Sequence, residues 1–420
     1  MKKIGFIAIP ITCIVVIGTV ISLVDLSEPN PKTTTQIQLA DDANATAESI
    51  TTLVDSMNNF SFNFYQQIGT SEEGNIFFSP YSIFVALSMA YEGAEGDTAA
   101  EMQSILNILQ NDSAQFGSFA RVYNLLNENQ DGYTIKTGNA FWAHQDYTFL
   151  PEYLSLLENF YMAEANELDF AQNVEAAETI NNWIEEQTND KIKDMIDASM
   201  LSELTKLVLT NAIYFKGLWA NQFDPENTFE ADFETTVDET VAVNMMSEVD
   251  GYNYTETDDL KILELNYAGD DLSMVIILPR ENDISIAESA MSVENLASWI
   301  DDVHEQEIIV QIPKFKFEKK YTLNDLLKEM GVVDAFIPGV ADFSGMDGAR
   351  NLFISIVLHQ SYVEVNEEGT EAAAATAVIM ELTAIPDQKE LIADHPFIFL
   401  IRHKETGAVL FMGRVTDPSE

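Results

Sequence analysis

From Leu207 to Phe215 the chain reads Leu-Val-Leu-Thr-Asn-Ala-Ile-Tyr-Phe, a nearly unbroken apolar run. A strand with one wet face alternates polar and apolar residues, because successive side chains point to opposite faces of its sheet. A run like this one predicts a strand buried on both faces. The chain must therefore build a sheet with cover on either side. With 46% hydrophobic residues among 420, it has ample material for that core.

Helical signals dominate the first half. Ser79-Pro80 opens the segment Ile83–Ala90, and Gly93 stops it. From Val174 to Glu186, the residues Ile180, Trp183 and Ile184 share one helical face. Strands follow at Met274–Leu278 and Ile308–Ile312, and Phe397–Ile401 with Ala408–Met412 makes a hairpin around Glu405-Thr406-Gly407. Helices first and strands later predict a mixed α+β domain. No repeat and no later linker interrupts residues 47–420, which read as one domain.

The first residues read differently. Met1-Lys2-Lys3 precedes an uncharged run from Ile4 to Val24, which as a helix rising about 1.5 Å per residue reaches roughly the 30 Å of a bilayer core. Lys2 and Lys3 on one flank, with Asp25 and Glu28 on the other, place the N-terminus in the cytoplasm. Residues 1–25 are read as a signal anchor or a cleaved signal peptide. The length of the run and the lack of a small-x-small site close after Val24 favour the anchor. Either way the remainder is extracellular or at the cell surface. Residues 26–46 are polar and aperiodic, as in a stalk.

The formal net charge of −48 argues against nucleic acid, whose phosphates demand Lys and Arg. It fits an acidic surface that keeps the protein soluble. The single cysteine, Cys13, leaves the rest without a disulfide, a thiolate nucleophile or a cysteine metal site. His144, His304, His359, His395 and His403 lack the spacing of a zinc-binding pair, and there is no nucleophile elbow or Walker loop. No enzymatic activity, cofactor or metal is expected. Sequons stand at Asn44, Asn59, Asn111 and Asn253.

Near the C-terminus, Glu367-Glu368-Gly369-Thr370-Glu371 leads into Ala372-Ala373-Ala374-Ala375-Thr376-Ala377. Gly369 can act as a hinge, and small residues can slide between packed strands without overfilling a core. One parity holds Thr370, Ala372, Ala374, Thr376, Val378 and Met380, all small or apolar; the other holds Glu371 and Glu381. As a strand, the segment would turn the first set to a core and both glutamates to water. Its alanines also suit a surface helix. Two conformations are open to it.

Several motifs together resemble the serpin family over residues 48–420. They are Asn75-Ile76-Phe77-Phe78-Ser79-Pro80-Tyr81-Ser82, Gly93-Ala94-Glu95-Gly96-Asp97-Thr98, Ile180-Asn181-Asn182-Trp183-Ile184-Glu185 and Thr210-Asn211-Ala212-Ile213-Tyr214-Phe215-Lys216-Gly217-Leu218-Trp219. Ile312-Pro313-Lys314-Phe315, the hinge at Glu367–Ala373, His395-Pro396-Phe397 and Phe411-Met412-Gly413-Arg414-Val415 complete the set. Asn244 stands where the family usually has Pro.

The resemblance implies an α+β serpin fold with three β-sheets, eight or nine helices and an exposed reactive-centre loop. It implies a monomeric suicide-substrate inhibitor of serine proteases: the loop is cleaved, an acyl-enzyme is trapped, and the loop inserts into the main sheet. A non-inhibitory serpin, acting as a binding or chaperone-like module, is the alternative. The hinge would comprise Glu367, Gly369, Thr370, Ala372, Ala373, Ala374 and Ala375. Fourteen positions after the hinge glycine, Thr383 and Ala384 would flank the reactive bond, with Leu382 or Met380 as alternatives. Thr383 suits an elastase-like or subtilisin-like protease, and Leu382 or Met380 a chymotrypsin-like one. Ser79, Ser82, Asn211 and His359 match the family's shutter, and Trp219, Lys314 and Glu367 its breach. A Lys314–Glu367 ion pair on an exposed edge would contribute under about 1 kcal/mol.

Overall fold

The computed structural model describes residues 39–110, 112–128, 132–236, 239–370 and 389–420. The apolar run at 4–24, most of the stalk, and the loop residues Ala372–Ala375, Met380, Leu382, Thr383 and Ala384 lie outside the described residues. Among the described residues no helix is long and apolar enough to cross a membrane.

The strands in chain order are β1 (Ile76–Phe78), β2 (Tyr133–His144), β3 (Glu164–Leu168), β4 (Leu207–Leu218), β5 (Phe229–Thr236), β6 (Glu239–Glu256) and β7 (Leu260–Asn266). After these come β8 (Leu272–Pro279), β9 (His304–Pro313), β10 (Phe315–Thr322) and β11 (Ile354–Val365). The last are β12 (Gly369–Thr370), β13 (Lys389–Ile392), β14 (Phe397–His403) and β15 (Val409–Val415). Ten α-helical segments stand among the described residues, against eight or nine expected; one of them is the single turn Ser344–Asp347. The arrangement is α+β. Three strands nevertheless fall within the half where helical signals dominate.

Where three sheets are expected, the described strands form two hydrogen-bonded systems. The smaller runs β10-β11-β12-β4-β2-β3. The larger runs β1-β15-β14-β8-β7-β6-β9-β13, with β5 on β6. The 18-residue β6 joins what would otherwise be separate sheets, because its first part pairs with β5 and its last part with β7.

The six-stranded sheet is covered on both faces, as the run in β4 requires. Leu207, Leu209, Ile213 and Phe215 enter the main core shared with the larger sheet. Val208 and Ala212, on the opposite parity, enter a second core with Ile180 and Ile184 of the helix Asn173–Gln187. The helix α1 (Ala47–Gly69) starts at a capping box, in which Thr46 and Ser49 satisfy each other's backbone N–H. In α2 (Pro80–Glu92), Ser79 caps the N-terminus, Pro80 occupies the first turn and Gly93 ends it. That cap places Ser79 and Ser82 beneath the sheet.

Candidate functional site

Two parallel strands with different partners at their two ends make the site. Along β4 and β11, Leu207–Tyr214 pairs directly with Ile354–Tyr362. At the far end the strands part and β12 lies between them, antiparallel to both: Thr370 faces Val365 on one side and Gly217 on the other, and Gly369 faces Leu218. The first hinge residues are therefore already in the sheet, not in an exposed loop. Thr370 is 1% exposed, on the inward parity that its sequence pattern predicts.

A tight reversal brings the chain there. The N–H of Asn366 donates to the Gly369 carbonyl at 2.9 Å and the N–H of Gly369 returns a bond to the Asn366 carbonyl at 3.2 Å. Gly369 is needed because β4 comes so close: an added Cβ would lie 2.0 Å from the Gly217 carbonyl oxygen. The Thr370 hydroxyl is held by the Tyr267 hydroxyl at 2.8 Å. Tyr267 in turn stacks on Trp219, with centroids 4.7 Å apart.

Trp219 and Lys314 converge on the same corner. The Trp219 backbone N–H donates to the Glu368 carbonyl, and its indole N–H donates to the Asn366 carbonyl, both at 2.9 Å. Lys314 Nζ contacts both oxygens of Glu367, at 2.8 and 3.1 Å, and Thr228 adds a hydroxyl bond at 2.8 Å. This pair is not the exposed one expected: Glu367 is 5% exposed, its carboxylate held between Lys314 and Thr228, while the Lys314 side chain keeps a third of its surface in solvent. Burial by itself would raise its pKa, but the bonds from Lys314 and Thr228 outweigh that and hold the carboxyl below its usual range.

Midway down the sheet, Ser79, Ser82, Asn211 and His359 form one buried network. Asn211 and His359 are register partners across β4 and β11. The backbone N–H of Ser79 donates to His359 Nε2 at 3.0 Å, so Nδ1 carries the proton and bonds to Asn211 Oδ1. The Asn211 amide donates to Ser82 Oγ and, at 2.5 Å, to Asn139 Oδ1. The Ser79 hydroxyl donates to the Leu410 carbonyl at 2.6 Å and accepts from the Ser82 N–H. Complete burial pushes the His359 pKa down to about 3. Every member has a partner, as a buried polar network requires.

Sequence reasoning missed Asn139, Tyr267 and Thr228. Asn139 carries a weak signal, a polar residue between Gly138 and Ala140 on a largely apolar strand. Its register opposite Asn211 comes from strand pairing alone. Nothing in sequence marks Tyr267 or Thr228. The reactive-bond residues Thr383, Ala384, Leu382 and Met380, and the hinge residues Ala372–Ala375, lie outside the described residues. No group of three or more His, Cys, Asp or Glu among the described residues could hold a metal ion.

A family model described as Serpin (serine protease inhibitor) matches residues 55–418. An uncharacterised serpin-like protein of Thermococcus kodakarensis is 42% identical over 373 residues, covering 88% of this chain and 86% of its own. The leukocyte elastase inhibitor of Bos taurus is 43% identical over 82% of this chain and 93% of its own. Among solved structures, Serpin48 of the insect Tenebrio molitor, described as a highly specific serpin, aligns with a TM-score of 0.78 at 33% identity. That alignment covers 87% of this chain and 98% of the insect protein.

Proposed function

The chain belongs to the serpin family, and on that premise we propose that it is a suicide-substrate inhibitor of serine proteases. The observation that carries this reading is the seating of β12 between the parting ends of β4 and β11. If the loop inserted in the same register, Ala372 would come opposite Phe215, Ala374 opposite Ile213, and Thr376 between Asn211 and His359. Ten further residues, 371–380, would reach the start of β4 at Leu207, a path of about 34 Å at about 3.4 Å per residue. Insertion would exchange one parallel ladder for two antiparallel ones, which are more stable per residue. Small side chains on the inward parity let it proceed without overpacking.

In the proposed sequence of events, the protease serine attacks the carbonyl carbon of Thr383. The peptide bond to Ala384 breaks, the new amine leaves on Ala384, and an ester to the protease remains. Insertion then draws the acylated protease along the sheet before water reaches the ester. Thr383 favours an elastase-like or subtilisin-like target; Met380 or Leu382 at the bond would favour a chymotrypsin-like one. The inhibitor acts as a monomer outside the cytoplasm, tethered by its N-terminal segment or secreted.

Incubation with a panel of such proteases tests this. The expected result is an SDS-resistant covalent complex and a released peptide that begins at Ala384 by mass spectrometry. Clean loop cleavage with every protease left fully active would overturn it and favour the non-inhibitory alternative.

A further inference from the structure

After residues 371–388 the chain re-enters the larger sheet as β13, which has four residues and, among the described strands, pairs with β9 alone. An edge strand with so few ladder bonds is among the first parts of a fold to open locally. At its start Lys389 adds an ion pair to Glu256 at 3.1 Å, with both side chains partly exposed. Its end is held by the corner at residues 393–396, which turns the chain from β13 into β14.

Three elements tie that corner down. The Ala393 N–H donates to the Gln311 carbonyl of β9 at 2.9 Å, and the Glu234 N–H of β5 donates to the Asp394 carbonyl at 2.7 Å. The third tie is the His395 ring. Its Nε2 lies 2.8 Å from the carbonyl oxygen of Pro279, the last residue of β8, and its Nδ1 lies 2.7 Å from Asp394 Oδ1. The His395 side chain is 12% exposed, so little water reaches the ring.

Both partners of the ring are acceptors. A carbonyl oxygen has no proton to give, and neither has an ionised carboxylate. Each ring nitrogen then carries its own proton, and a ring with two N–H groups is an imidazolium. A neutral ring has one N–H and would face one of the two oxygens with a lone pair.

The charges around the ring favour its cation. Asp394 lies beside it, and Glu234 comes from β5, its carboxylate also accepting from Asn282 at 3.3 Å. Arg280, just past Pro279, is directed instead to Glu256 and the Thr257 carbonyl. Burial by itself would lower the His395 pKa, but the bonds to Asp394 and Pro279 and the charges of Asp394 and Glu234 outweigh it and hold it above 6.5. The folded chain thus binds this proton more tightly than the unfolded chain. Its support is complete below pH 6.5 and is lost as pH rises through the raised folded value.

We propose that His395 is a pH-sensitive latch: as an imidazolium it fastens the β13–β14 corner to β8, and loss of one proton frees the corner and loosens β13. The strand that loosens anchors residues 371–388 on their C-terminal side. That these residues carry the reactive bond rests on the inhibitor reading; the latch does not.

Two measurements on the full chain test this. A histidine-ring NMR titration, with the His395 signal assigned by its loss in His395→Gln, should give a midpoint above 6.5. Hydrogen exchange read by mass spectrometry at pH 6 and pH 9, each corrected for the intrinsic rate, should show protection of residues 389–394 falling about tenfold at the higher pH, as loss of a charged hydrogen bond implies. Protection of β14 should stay unchanged. His395→Arg, a cation at both pH values with several N–H donors, should keep residues 389–394 protected at pH 9. A midpoint at or below 6.5, or equal protection of residues 389–394 at the two pH values, would overturn the proposal. So would a pH dependence retained in His395→Arg, since another group would then be titrating. If neither variant folds, the wild-type exchange at residues 389–394 against β14 decides alone. No protease enters either measurement, so failure here is separate from failure of the inhibitor reading.

Discussion

At the scale of single residues, His359 is where burial and hydrogen bonding fix a protonation state. Its Nε2 accepts a backbone N–H, so a proton there would break that bond inside a dry core. The folded chain therefore refuses a proton that the unfolded chain takes up below its ordinary value near 6.5. This contribution is absent above that value and grows as pH falls toward about 3, at about 1.4 kcal/mol per unit. Between pH 6.5 and 5 it amounts to about 2 kcal/mol lost. Urea midpoints at those two pH values should show the loss in the wild type, and a smaller one in His359→Gln. Glu367 has the opposite sign: its lowered pKa supports the fold above the usual carboxylate range and is lost as pH falls through the folded value. Lys314→Ala would strand a buried carboxylate and should cost about 3 kcal/mol, more than the expected exposed pair would lose. A loss under about 1 kcal/mol in the same unfolding assay would return that pair to the ordinary surface class. The polar residues of the shutter and breach were legible only through the family's motifs, since neither strand register nor burial can be read from Ser79, Asn211 or Lys314 in isolation.

At the scale of elements, β12 is two residues long and holds its slot by a few contacts. Thr370 is buried against Tyr267, so the side chain that enters the sheet first is already tested for size by the wall. Thr370→Arg cannot fit there without burying an unpaired charge. Such a variant should still be cleaved in its loop yet form no SDS-stable complex, a result that a gel beside a protease activity assay decides; retained inhibition would contradict the hinge reading. Tyr267→Phe removes only the hydroxyl bond, worth about 1 kcal/mol. It should leave the fold intact and speed hydrogen exchange at Thr370. The period-two pattern from Thr370 to Met380 was readable because alternation is local. That Thr370 would already be paired was not, since pairing depends on β4 and β11 parting 150 residues apart in the chain. The end of the expected stalk also has tertiary partners: Ala40 exchanges two backbone bonds with the Asn124 side chain.

At the scale of the whole molecule, insertion would lengthen β12 into a full strand at the centre of the six-stranded sheet. Loop-cleaved protein should therefore unfold at a markedly higher temperature than intact protein, measured by calorimetry on both forms; an unchanged midpoint would favour the non-inhibitory alternative. The sequence by itself determined that a sheet is buried on both faces, because only double cover accommodates the apolar run of β4. It also determined where α2 begins and ends, because Ser79, Pro80 and Gly93 act on their immediate neighbours, and it set the inward parity of Thr370. Tertiary structure alone decided which polar residues meet. Asn139, Asn211 and His359 come from strands far apart in the chain, and only sheet register sets them side by side. It also decided that Glu367 is buried and that Gly369 and Thr370 already sit in the sheet, the latter because β4 and β11 separate at one end. No stretch of local sequence encodes that distance.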